Sequence, residues 1–208
     1  MASDNTYVLS GNDEYSKKMF LDELRHRVGP KDVLEANTTV IRGADLTITQ
    51  LQEVSSVVPF LAEHRLVIVE GLLAQFAGSQ GSRSRGRSSR SRGETLDQWG
   101  GISAVLEAKP HSTILVFLER DLRADNPFLR EIKLLVETKP FLIPTGQDLR
   151  PWIQNWIQTR VSELGASIAP RAINQLTELV GGDPWILNSE TEKLALYANG
   201  RPIDEQAV

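Results

Sequence analysis

Two short segments, Arg65–Glu70 (RLVIVE) and Ser112–Leu118 (STILVFL), are almost unbroken runs of β-branched and aliphatic residues. A strand with one wet face alternates apolar and polar side chains. A strand apolar at successive positions needs both faces covered, which is the mark of an interior strand in a parallel sheet. Parallel neighbours need long crossovers, so helices must lie between the strands. The flanking segments provide them. Phe20, Leu21, Leu24 and Val28 share one helical face, stopped by Gly29-Pro30. Leu46 to Val58 and Ile102 to Ala108 read as helices, and Asn126-Pro127 is a cap-and-first-turn pair for a helix carrying Phe128, Leu129, Ile132 and Leu135 inward. Tyr7 to Ser10, the weaker stretch Val33 to Ile41, and Phe141 to Ile143 are the remaining β-prone runs. The fold class is therefore α/β, a parallel sheet covered on both faces.

Past Pro144 the period changes to helix alone. Trp152, Ile153, Trp156, Ile157 and Val161 form one stripe ending near Gly165. Ile173, Leu176, Leu179 and Val180 form a second, closed by Gly181-Gly182. Asp183-Pro184 opens a third containing Trp185, Ile186, Leu187, Leu194 and Leu196, ending at Asn199-Gly200. The expectation is an α/β domain over residues 1–144, with an insertion at about 76–96, and a small three-helix domain over 145–208. Pro202 to Val208 reads as the start of another capped segment, as in a fragment of a longer protein.

Composition narrows the function. The chain has no cysteine, which removes disulfide scaffolds, thiolate zinc, iron–sulfur clusters and cysteine nucleophiles. Its 27 acidic residues outnumber its 23 Lys and Arg, so no overall polycation exists to hold nucleic acid. No apolar run approaches the roughly 20 residues of a membrane span, and the N-terminus lacks the pattern of a signal peptide. A cytoplasmic protein without a membrane partner is expected. The exception in composition is Gly78 to Gly93, GSQGSRSRGRSSRSRG, whose Arg83, Arg85, Arg87, Arg90 and Arg92 make a basic island with no apolar residue. A mobile, solvated insertion is the preferred reading; the five arginines are also candidate DNA or RNA contacts.

The strand–glycine–helix opening invites comparison with the phosphate-binding loop GxxxxGK[ST]. Gly11 and Lys17 match. Ser16 replaces the second glycine, and Lys18 replaces the hydroxyl that holds Mg²⁺. Asp13 and Glu14 would repel a triphosphate, and suit the first turn of a helix better. RLVIVE ends with Val69 where a metal-binding aspartate would be required, leaving Glu70. The loop reads as degenerate, with no ATPase activity, no cofactor and no catalytic residue. Glu119, Asp121 and Asp125 follow a central strand, where α/β sheets place ligands, and could be read as catalytic carboxylates; Asp121 to Asn126 reads better as a solvated turn leading to the Asn126 cap. His26, His64 and His111 are too dispersed to bind metal, and the Trp152/Trp156 pair is better read as core than as a base-stacking platform.

Taken in order, YVLSGNDEYSKKMFLDELR, PFLAEHRLVIVEG, HSTILVFLERDLRADNPFLREI and LRPWIQNWIQTRVSELGASIAPRAINQLTELVGGDPWILNSETEKLALYANGRPI resemble the delta subunit family of bacterial DNA polymerase III, a clamp-loader component. ELVGGDPWILNSETEKLALYANGRPI carries the most specific part, a Gly-Asp pair, a helix and Glu-Lys-Leu. The resemblance implies an AAA+-like domain I, a helical domain II and a collar domain III that is missing from this sequence. It implies a subunit without ATP hydrolysis that opens the sliding clamp (the beta subunit) during DNA replication. Further partners would be the other loader subunits, gamma/tau and delta-prime, with DNA met through the assembled complex. The family's apolar wedge falls on Phe60 and Leu61, followed by Ala62, Glu63, His64 and Arg65. Without the resemblance, this pair would be read as covering the sheet. The alternative is a divergent nucleotide-binding enzyme in which Lys17 or Lys18 still contacts phosphate.

Overall fold

The computed structural model describes residues 5–76 and 98–208. The chain divides into two compact units, Met1–Phe141 and Leu142–Val208.

The first unit is built on five parallel strands: β1 (Thr6–Ser10), β2 (Thr38–Arg42), β3 (Arg65–Glu70), β4 (Thr113–Leu118) and β5 (Glu137–Pro140), in the order β2-β3-β4-β1-β5. The two apolar runs are its centre, β3 and β4, in register from Arg65 opposite Thr113 to Glu70 opposite Leu118. Side chains leave them alternately to two separate cores. Val67, Val69, Leu115 and Phe117 meet Leu51 of α3 (Ile48–Ser56), Ile102 and Leu106 of α4 (Ile102–Ala108), and Phe128 and Ile132 of α5 (Pro127–Ile132). Leu66, Ile68, Ile114 and Val116 meet Leu21, Leu24 and Val28 of α1 (Glu14–Val28). This two-sided burial is why β3 and β4 carry no polar alternation. Phe128 anchors the first core, stacked on Phe76 at 4.8 Å and edge-on to Trp99 at 5.5 Å.

Two local expectations need correction. Lys31–Leu34 is a helical turn, α2, rather than β-leaning chain, and β2 begins only at Thr38. The last strand is Glu137–Pro140, not Phe141 to Ile143. As an edge strand it pairs only with β1, so it tolerates polar residues and a proline that cannot donate. Phe141 lies just beyond it and packs against Phe20, ring centroids 6.1 Å apart. After β2, Gly43 passes so close to the chain following β3 that a Cβ there would lie 2.6 Å from the Leu72 nitrogen. Gly43→Ala is expected to lower stability by about 2 kcal/mol, the cost of overpacking, read as a shift in denaturant midpoint.

The second unit holds α6 (Leu149–Glu163), α7 (Pro170–Val180) and α8 (Pro184–Ala198) around Ile153, Ile157, Val161, Ile173, Leu176, Leu187 and Leu194. Trp152 and Trp156 pack against this core. Asp183 caps α8, accepting from the Trp185 amide at 2.8 Å. Trp185, Ile186 and Leu196 do not join the core, Leu196 being 81% exposed. The inward stripe of α8 is instead Leu187, Thr191, Leu194 and Ala198. Thr191 can be buried because its hydroxyl donates to Leu187 O at 2.8 Å. Pro202 to Val208 forms no new helix: Ile203 is buried and pairs with Ile168 in an isolated parallel bridge.

Candidate functional site

The two candidate sites of the first unit lie at opposite ends of the sheet's strands. The degenerate phosphate loop follows the C-terminal end of β1, beside the end of β4, where strand order reverses and α/β sheets bind ligands. Phe60 and Leu61 precede β3, at the end where strands begin.

At the first end, the groups that would cradle a phosphate are engaged with the protein itself. The Gly11 amide donates to Arg120 O at 3.0 Å, and the Asp13 amide to Phe141 O at 3.1 Å. Asp13 is buried and caps α1. Its carboxylate accepts from the Ser16 amide at 2.9 Å and from the Ser16 hydroxyl at 2.7 Å, so a negative charge already occupies the positive end of that helix. Lys17, also buried, turns its ammonium inward, donating to Gly11 O at 2.8 Å and Glu14 Oε1 at 2.9 Å, with Glu119 O at 3.4 Å. Lys18 departs from the site and pairs with Asp22 on the surface. Lys17 thus lies against Gly11, while Ser16 is turned to Asp13 and Lys18 to Asp22. Val69 is fully buried in the core and Glu70 is exposed.

Glu119 has a structural role at this end of the sheet. It is 1% exposed, and its carboxylate accepts from the Leu73 amide at 2.8 Å and the Ala74 amide at 3.1 Å, tying β4 to the chain after β3. The solvated turn begins after it, with Arg123 paired to Asp125 at 3.0 Å and Asn126 capping α5. Burial pushes the Glu119 carboxyl above its ordinary value; the amides of Leu72, Leu73 and Ala74 and the charge of Lys17 oppose that push. A raised value in the folded state stabilises the fold most below the unfolded value near 4.5, and this contribution is lost as pH rises through the folded value. Unfolding free energies measured from acid to neutral pH are therefore expected to show a shallower fall in Glu119→Gln than in the parent across that window.

At the other end, α3 stops at Ser56 and the chain exposes Val57, Val58, Phe60 and Leu61 before β3. Phe60 is 63% and Leu61 79% exposed, so the pair does not cover the sheet. The corner is nonetheless anchored. Ser55 O accepts from the buried Thr113 hydroxyl at 2.8 Å, and the Arg65 amide donates to Ser112 O at 2.8 Å. Between these ties, Asn37, fully buried, grips the Phe60 backbone twice. Its Oδ1 accepts from Phe60 N at 2.7 Å and its Nδ2 donates to Phe60 O at 2.7 Å. Leu61 stands at φ +51°, a left-handed conformation that costs an L-residue about 1–2 kcal/mol and persists only where the surroundings enforce it. Val57 and Val58 widen the apolar patch beyond the expected pair. No linear signal pointed to Asn37.

Arg83, Arg85, Arg87, Arg90 and Arg92 lie outside the described residues. Among the described residues no cluster of three His, Asp or Glu could hold a metal ion, and no helix is long and apolar enough to cross a membrane.

No family model matches the sequence, and neither does any curated protein. Solved structures do match in fold. The DNA clamp loader delta protein of Bacillus subtilis superposes with a TM-score of 0.76 over 99% of this chain at 17% identity. The present chain spans 57% of that protein's chain. A variant of Thermotoga maritima RuvB gives a TM-score of 0.46 at 11% identity, over 98% of this chain and 59% of its own. The chain thus has a parallel α/β sheet unit followed by a helical unit. Over nearly its whole length, this is the fold of a clamp loader delta protein.

Proposed function

We propose that this protein is a clamp-loader subunit that binds and opens the sliding clamp through Phe60 and Leu61 and does not itself hydrolyse ATP. The observation that carries the reading is the corner before β3, where two large apolar side chains stand exposed on an anchored backbone. Solvating such a pair is unfavourable and burying it is favourable by about 1.5–3 kcal/mol per side chain, so the corner is suited to an apolar pocket on a partner. The fold shared with the Bacillus subtilis clamp loader delta protein supports the sliding clamp as that partner. The other loader subunits and, through them, DNA complete the set of partners, in the cytoplasm.

The occupied phosphate loop supports the absence of ATP chemistry. An incoming phosphate would have to displace the Asp13 carboxylate and the internal bonds of Gly11 and Lys17. The test is a pull-down with purified sliding clamp, comparing the parent with Phe60→Ala/Leu61→Ala, alongside calorimetric titration with ATP and Mg²⁺. Clamp capture lost in the folded double variant, with no heat from nucleotide, supports the reading. Equal capture by both proteins refutes the wedge, and micromolar ATP binding with turnover refutes the nucleotide-independent role.

A further inference from the structure

We infer that Asn37 is a positioning residue for the clamp-binding corner, an inference that rests on the reading of Phe60 and Leu61 as the wedge. Exposed apolar side chains on a free loop lose conformational freedom on docking and bind weakly; held in the docking conformation beforehand, they do not. The chain from Val57 to His64 has no regular secondary structure to hold it. What holds its centre is one side-chain amide. Asn37 spends its Oδ1 on the Phe60 amide and divides its Nδ2 between Phe60 O at 2.7 Å and Val33 O at 2.8 Å. The backbone of Phe60 is therefore bonded on both sides, as in a β-ladder, by a residue 23 positions earlier in the sequence.

Asn37 is itself immobilised. Its own amide donates to Val33 O and Leu34 O at 3.2 Å, and its carbonyl accepts from Leu66 N at 2.8 Å at the start of β3. The grip thus ties the end of α2, the start of β3 and the corner into one unit. It carries Phe60 outward while the next residue, Leu61, is kept in its left-handed conformation. Neither side chain of the pair takes part, so the grip sets where the wedge stands without contributing to what it touches.

The experiment is a double-mutant cycle in clamp affinity, measured by surface plasmon resonance with the purified clamp, on the parent, Asn37→Ala, Phe60→Ala/Leu61→Ala and the triple variant. If losing the grip leaves the corner in its docking conformation about a tenth of the time, Asn37→Ala weakens clamp binding roughly tenfold. In the background lacking Phe60 and Leu61 side chains, the same substitution should then have no effect. A merely structural role would lower affinity equally in both backgrounds, and that result overturns the inference. So does unchanged affinity in Asn37→Ala when Phe60→Ala/Leu61→Ala has lost it. If Phe60→Ala/Leu61→Ala binds like the parent, the wedge reading itself falls and the positioning role falls with it. Hydrogen exchange on the parent is independent of whether Asn37→Ala folds. The Phe60 amide should be protected despite its exposed side chain, and rapid exchange there refutes the grip.

Discussion

Replacing Phe60 and Leu61 together by alanine is expected to weaken binding to the sliding clamp about a hundredfold or more while leaving the protein folded. The two side chains are 63% and 79% exposed, so truncation removes little that stabilises the isolated chain, and unfolding should shift by no more than about 0.5 kcal/mol. In the proposed complex the same side chains would be buried. Together they then contribute about 3–6 kcal/mol, and 1.4 kcal/mol is tenfold in affinity, which puts the loss between about a hundredfold and ten-thousandfold. Leu61→Gly sharpens the test. Glycine adopts the left-handed conformation at φ +51° without steric cost, so this variant should be more stable than the parent by up to about 1 kcal/mol and yet bind the clamp less well. Affinity and thermal midpoint measured side by side would show the two quantities moving in opposite directions. A variant that bound normally would place the clamp elsewhere on the surface.

The second large effect is expected at Lys17. In a working phosphate loop this lysine serves the nucleotide, and changing it spares the fold. Here its ammonium satisfies the Gly11 carbonyl at 2.8 Å, close to the Glu119 carbonyl, inside the protein. Lys17→Met keeps most of the apolar stem but leaves that buried oxygen unpaired, at a cost of about 1–3 kcal/mol for each polar group stranded. The expected loss is about 3 kcal/mol, read from urea midpoints. The neighbouring Lys18→Met, which breaks only the surface pair with Asp22, should cost less than about 1 kcal/mol. The contrast between adjacent lysines separates the two accounts of this loop. A parent that binds ATP, and a Lys17→Met variant of normal stability that does not, would restore the nucleotide-site reading.

Legibility in the sequence followed the range of the forces involved. The sheet's interior was readable because RLVIVE and STILVFL are apolar at successive positions, and a run of that kind has few places to go but between two layers of helices. The caps at Asn126 and Asp183 were readable because each acts on amides two or three residues away. The departure of Ser16 and Lys18 from the phosphate-loop motif is plain in the sequence, because the motif is local. Helix faces in the second unit were less so: apolar residues adjacent in the chain, such as Trp185 and Ile186, mask which stripe turns inward, and packing against α6 and α7 chose Leu187, Thr191 and Leu194.

Tertiary structure decided the rest. Nothing in the sequence marked Glu119 as a structural acceptor, and only the approach of the chain after β3 made it a buried acceptor for two amides. The exposure of Phe60 and Leu61 also depended on what lies across from them. An apolar pair before a strand is ordinarily core, and nothing in VVPFLA says otherwise. It stands outward in the fold, on a backbone that Asn37, distant in sequence, bonds on both sides at Phe60. Periodicity and caps record interactions within a few residues, so one chain displays them; a contact across 23 residues leaves no mark in the order of side chains, because folding alone brings its partners together.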